Sequence, residues 1–116
     1  MGTVTIFHNP RCSKSRSSLA ILNEQGLEPE IRLYLENPPS AEELTSILAM
    51  LDMSARDLLR KGESDYKALN LANPDVSETE IIKAMTEYPK LIERPIVIKD
   101  GKAAIGRPPE IILELI

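Results

Sequence analysis

Thr3-Val4-Thr5-Ile6-Phe7-His8-Asn9-Pro10-Arg11-Cys12-Ser13-Lys14-Ser15-Arg16 is the stretch that decides the fold. Val4 to Phe7 is a β-branched and aromatic run, which predicts a strand, buried and central. Asn9-Pro10 breaks it. Helical periodicity opens near Ser15 and continues through Leu19, Ala20, Leu22 and Asn23. Gly26 ends it, as a glycine just past a helix C-terminus commonly does. A strand, a tight loop and a helix start aim backbone N–H groups and a positive helix end at the side chain heading the helix, here Cys12. A structural cysteine is normally surrounded by apolar residues. This one has Arg11, Lys14 and Arg16 beside it, so Cys12 is read as a thiolate nucleophile. It is the only cysteine, and His8 the only histidine, in the sequence.

Working outward, Glu30-Ile31-Arg32-Leu33-Tyr34-Leu35 alternates polar and apolar residues and predicts a second strand. A helix joining two strands makes a right-handed crossover with parallel pairing. Asn37-Pro38-Pro39 punctuates the chain. Ser40-Ala41-Glu42-Glu43 is then a capping box for a helix carrying Leu44, Ile47, Leu48 and Leu51 as far as Asp52. Ser54-Ala55-Arg56-Asp57 opens a shorter helix that Arg60 closes before Lys61-Gly62. A further helical piece is expected over Tyr66 to Leu71. Ser77-Glu78-Thr79-Glu80 is a second capping box, with Ile81, Ile82, Ala84 and Met85 behind it and Pro89 at its end. Sheet signals return at Pro95-Ile96-Val97-Ile98-Lys99, the Asp100-Gly101 turn and Lys102-Ala103-Ala104-Ile105, a hairpin. Gly106-Arg107-Pro108-Pro109 leads into a last helix, Glu110 to Ile116. The order β-α-β, helices, β-β-α predicts an α/β, thioredoxin-like fold with a four-stranded mixed sheet. It forms a single domain over residues 1–116 with a helical insertion at about 40–87. In that fold a proline, often cis, faces the reactive cysteine from the start of the third strand, and Pro95 stands there.

Bulk properties bound the function. The length of 116 residues suits one domain with one core. A net charge of −4 at pH 7 argues against a general nucleic-acid binder. No apolar run is long enough to span a bilayer, and no secretion signal opens the chain. A lone cysteine makes no intramolecular disulfide, which fits a reducing cytoplasm. Any redox cycle at Cys12 must therefore borrow its second thiol from another molecule. One Cys and one His fall short of the usual zinc ligand set, and there is no glycine-rich phosphate loop. A monomer without a bound cofactor is expected.

Cys12-Ser13-Lys14-Ser15 is a C-x-x-C redox motif with serine in the second place. Serine can donate a hydrogen bond to a thiolate but cannot resolve a mixed disulfide. Arg94 and Arg107 flank the hairpin, whose two ends lie toward one edge of the sheet. Taken one at a time these arginines, and Arg60, suit a surface role. Together, guanidinium groups near a thiolate are what a tetrahedral oxyanion requires.

Asn9-Pro10-Arg11-Cys12-Ser13-Lys14-Ser15-Arg16, Tyr34-Leu35-Glu36-Asn37-Pro38-Pro39, Leu58-Leu59-Arg60, Arg94-Pro95-Ile96-Val97 and Gly106-Arg107-Pro108 resemble, in order and spacing, the glutaredoxin-coupled arsenate reductases, the ArsC-like proteins. The resemblance covers essentially the whole chain. It implies that Cys12 attacks arsenate and that Arg60, Arg94 and Arg107 bind the oxyanion. It also implies that His8 helps keep Cys12 a thiolate, with Ser15 and Arg16 in the same loop. Glutathione would be the co-substrate and glutaredoxin the protein partner. The runner-up is a glutathione-dependent thiol–disulfide reductase with another substrate, which the three arginines disfavour. A regulatory branch of the wider family carries C-x-x-C as a redox switch, and Ser15 removes that switch.

Overall fold

The computed structural model describes residues 4–116, so Thr3 of the opening stretch lies outside them. In chain order the strands are β1 (Val4–Phe7), β2 (Glu30–Arg32), β3 (Ile96–Lys99) and β4 (Lys102–Ile105). The helices are α1 (Ser13–Glu24), α2 (Ala41–Leu51), α3 (Ala55–Leu58), α4 (Ser64–Ala68) and α5 (Glu78–Glu87), with 3₁₀ turns at Pro89–Leu91 and Pro109–Glu114. Two compact units result. One holds the chain up to Asn37 together with Arg94–Ile116, and the other holds Pro38–Glu93. No helix among the described residues is long and apolar enough to cross a membrane.

The first unit carries the sheet, in the order β2-β1-β3-β4. β1 pairs parallel with β2 and antiparallel with β3, and β3 pairs antiparallel with β4. This is the mixed thioredoxin-like sheet that the sequence predicts. Val4 and Ile6 share one face of β1 and form a core with Val97, Leu22 of α1 and Ile112 of the terminal 3₁₀ helix. Ile6, Leu22, Val97 and Ile112 are fully buried. Burying each such side chain stabilises the fold by about 1.5–3 kcal/mol. Phe7 has the opposite parity and stacks on Tyr34, with centroids 6.3 Å apart and planes at 17°. The Arg32 guanidinium covers the same ring at 5.4 Å.

Three predicted elements are corrected. β2 stops at Arg32 and does not run to Leu35. Glu36 and Asn37 both donate to the Leu33 carbonyl, and this turn carries Tyr34 to the Phe7 ring instead of along the sheet. The terminal helix is 3₁₀: Ile111 N–H donates to Pro108 and Leu115 N–H to Ile112, bonds of i to i+3 reach. The tighter winding buries Ile112 and leaves Ile111 and Leu113 exposed. α3 is a single turn ending at Leu58, so Arg60 is not its C-terminal residue.

In the second unit, the Ser40 capping box is complete, with Ser40 Oγ accepting from Glu43 N–H and Glu43 Oε1 accepting from Ser40 N–H, both at 3.1 Å. Asp52 closes α2 in the left-handed region at φ 56°. Ser54 and Asp57 make a further box at α3, and Ser77 caps α5 through Glu80 N–H. Leu44, Ile47 and Leu48 of α2 and Ile81, Ile82, Ala84 and Met85 of α5 are buried as their spacing predicts. The Arg56 guanidinium gathers the Leu71, Asn73 and Val76 carbonyls at 2.8–3.2 Å and fixes the segment before α5.

Candidate active site

Strand register places the site. Phe7 pairs with Ile96, and Ile96 pairs with Ile105. The chain leaving β1 at His8, entering β3 at Arg94-Pro95 and leaving β4 at Gly106-Arg107 therefore meets at one edge of the sheet. The Arg94–Pro95 peptide bond is cis, as is Arg107–Pro108. Gly106 N–H donates to the Pro95 carbonyl at 3.0 Å, and Arg107 Nε donates to the Arg94 carbonyl at 2.8 Å.

Cys12 is the residue that caps α1, in an extended conformation at φ −95° and ψ 122°. No capping oxygen stands there, and the side chain at the helix start is the Cys12 thiol. Burial by itself pushes the Cys12 thiol up. The Ser15 N–H, the Arg94 charge, the Lys14 N–H and the Arg107 charge outweigh that and hold it below the ordinary cysteine value. Arg107 Nη2 approaches Sγ to 3.8 Å. A buried sulfur at a helix start, lowered as an acid by two backbone N–H groups and by the charges of Arg94 and Arg107, has the surroundings that favour a thiolate.

The side-chain hydrogen bond of His8 is made to Ser15, within the cysteine loop. The His8 Nδ1 lies 2.7 Å from Ser15 Oγ, and the same oxygen accepts from Asn9 N–H at 3.0 Å. Burial, and then the Arg16 charge, push the His8 imidazole below its ordinary value. We assign the proton of the neutral ring to Nε2, so that Nδ1 accepts from the Ser15 hydroxyl. Ser15 is fully buried at the start of α1 and ties the end of β1 to the cysteine loop. Arg16 Nη1 donates to the Pro10 carbonyl at 2.9 Å, closing the loop from its exposed side.

Of the residues named from sequence, His8, Cys12, Ser15, Arg16, Arg94 and Arg107 come together in the first unit. Arg60 belongs to the second. There its backbone N–H donates to Leu91 O at 2.8 Å, and its guanidinium pairs with Glu63 at 2.7 Å and Glu93 at 3.8 Å. The sequence points to Lys14 as a local cation, whereas its contribution at the sulfur comes through its backbone N–H. The signal was available, because a residue capping a helix meets the N–H groups two and three positions on. Among the described residues, no three His, Cys, Asp or Glu side chains gather as metal ligands would.

The chain matches the ArsC family over residues 7–115. It is 56% identical over 114 residues to the uncharacterized protein YfgD of Escherichia coli K12, covering 97% of this chain and 96% of that protein. It is 50% identical over 115 residues to an arsenate reductase of Haemophilus influenzae, covering 98% of this chain and 99% of the relative. The solved structure of the arsenate reductase from Vibrio cholerae superposes with a TM-score of 0.96 at 48% identity, with 98% of either chain covered. The matched stretch takes in the end of β1, the cysteine loop, the helical unit and both arginine segments, and the chain belongs to the ArsC family.

Proposed function

We propose that the chain is an arsenate reductase in which Cys12 is the nucleophile and glutathione and glutaredoxin are the thiol donors. The observation that carries this reading is the Cys12 sulfur, lowered as an acid and 3.8 Å from Arg107 Nη2. Cys12 thiolate attacks arsenic(V), and an oxygen leaves as water, forming a sulfur–arsenic bond. Arg107 and Arg94 hold the remaining oxygens and offset their charge. Glutathione then displaces a second oxygen as water, giving an arsenic bonded to two sulfurs. A glutaredoxin thiolate attacks the glutathione sulfur. The pair of that sulfur–arsenic bond stays on arsenic, which becomes trivalent, and glutaredoxin and glutathione leave as a mixed disulfide. Water releases arsenite and returns the Cys12 thiolate. The lone cysteine supports this route, since both sulfurs of the product disulfide come from outside the chain. His8, Ser15 and Arg16 hold the loop in place. Arg60 enters the proposal from its Leu58-Leu59-Arg60 motif alone.

The test is arsenate-dependent NADPH oxidation with glutathione, glutaredoxin and glutathione reductase. Turnover above the enzyme-free control is expected, and Cys12→Ser is expected to abolish it. Oxidation independent of arsenate, with reduction of a glutathione mixed disulfide in its place, would replace this reading with that of a thiol–disulfide reductase.

A further inference from the structure

Gly106 is buried where β4 runs out toward Arg107. Its backbone is not in the left-handed region, so conformational freedom does not explain a glycine there. Space does. A Cβ at this position would collide with Ser18 Oγ and lie 2.9 Å from Pro95 Cγ and 3.3 Å from Ser18 Cβ. Ser18 is fully buried on α1, one turn beyond Ser15, and its hydroxyl has no hydrogen-bond partner among the described residues. Its hydroxyl therefore gains nothing from burial, and its small size is what the position uses.

These contacts join every part of the sulfur's surroundings. α1 begins at the Cys12 cap and passes Ser18. Ser18 abuts Gly106, Gly106 bonds to Pro95, and the next residue, Arg107, bonds to the Arg94 carbonyl and reaches the sulfur. We propose that Gly106 and Ser18 form a positioning pair. Their close approach sets how near the Arg107 guanidinium stands to the Cys12 sulfur. The kinetic part of this rests on the arsenate reductase reading, while the part concerning the thiol does not.

The test is the pH profile of iodoacetamide alkylation of Cys12, a measurement that uses no arsenate. It is run beside arsenate kinetics and a thermal melt. Gly106→Ala presses the two segments apart and is expected to raise the alkylation midpoint by about half a pH unit, from the weaker attraction at longer range. Arg107→Ala sets the ceiling of that shift. The arsenate KM is expected to rise several-fold with a smaller change in kcat. Ser18→Ala added to Gly106→Ala removes the worst collision and is expected to return the midpoint part of the way, a rescue that a general loss of packing would not give. Should Gly106→Ala fail to fold, Ser18→Val presses on the same contact from the α1 side and carries the same expectation. A folded Gly106→Ala or Ser18→Val protein with the parent alkylation midpoint would overturn the proposal. A shifted midpoint in a chain whose parent shows no arsenate-dependent turnover would uphold the positioning pair and remove the arsenate reading instead.

Discussion

At the scale of single residues, the proton economy of the site turns on His8. Its imidazole is lowered by burial and by Arg16, so the folded protein resists protonating it. The unfolded chain binds that proton near the ordinary value of 6.5. Stability is therefore full above that value and falls as the pH drops from it toward the lowered one. His8→Asn keeps an acceptor near the Nδ1 position for the Ser15 hydroxyl but does not titrate. We expect it to remove that part of the pH–stability curve, as read by urea denaturation between pH 5 and 8. Ser15→Ala strands both the Asn9 N–H and His8 and is expected to cost about 1–3 kcal/mol at any pH in this range. His8 and Ser15 were legible because both sit in the cysteine loop. The direction of their bond was not, since sequence gives neither the tautomer nor the burial that sets it.

At the scale of elements, local rules read the helices well. The Ser40 box, the Asp52 end and the buried faces of α2 and α5 follow from spacing alone. Ser54→Ala removes one bond of the α3 box and is expected to cost about 1 kcal/mol in a denaturant melt. α3 is one turn long, so its cap is a large share of what holds it. Elements were misread where a tertiary contact overrode the pattern. The alternation through Leu33-Tyr34-Leu35 is real, yet the aromatic stack with Phe7 and the bonds to the Leu33 carbonyl turn the chain away from the sheet. The apolar run after Pro109 reads as an α-helix by composition, and its hydrogen bonds close at i to i+3. Ser18 and Gly106 carry no periodic signal at all. Small residues are silent in a pattern reading, and only packing shows what their size permits.

At the scale of the whole molecule, the site is assembled from segments about eighty residues apart in sequence, brought together by strand register. The hairpin made Arg94 and Arg107 legible, because its two ends must share one edge of the sheet. Arg60 had no such guide. It sits in the helical unit with Glu63 and Glu93 on its guanidinium, two residues past a helix shorter than its sequence suggested. On the proposed function, in which Arg60 binds the oxyanion, Arg60→Ala is expected to raise the arsenate KM roughly tenfold while Cys12 stays alkylatable. Loss of the folded state instead would make Arg60 a structural tie of the helical unit. Because the residue that caps α1 carries the only thiol in the chain, mass spectrometry of the intact protein becomes a direct census. One adduct per polypeptide counts one free Cys12 thiol, with no background from other thiols. The fraction labelled in a preparation is then the upper limit on the nucleophile available to any turnover measured on it.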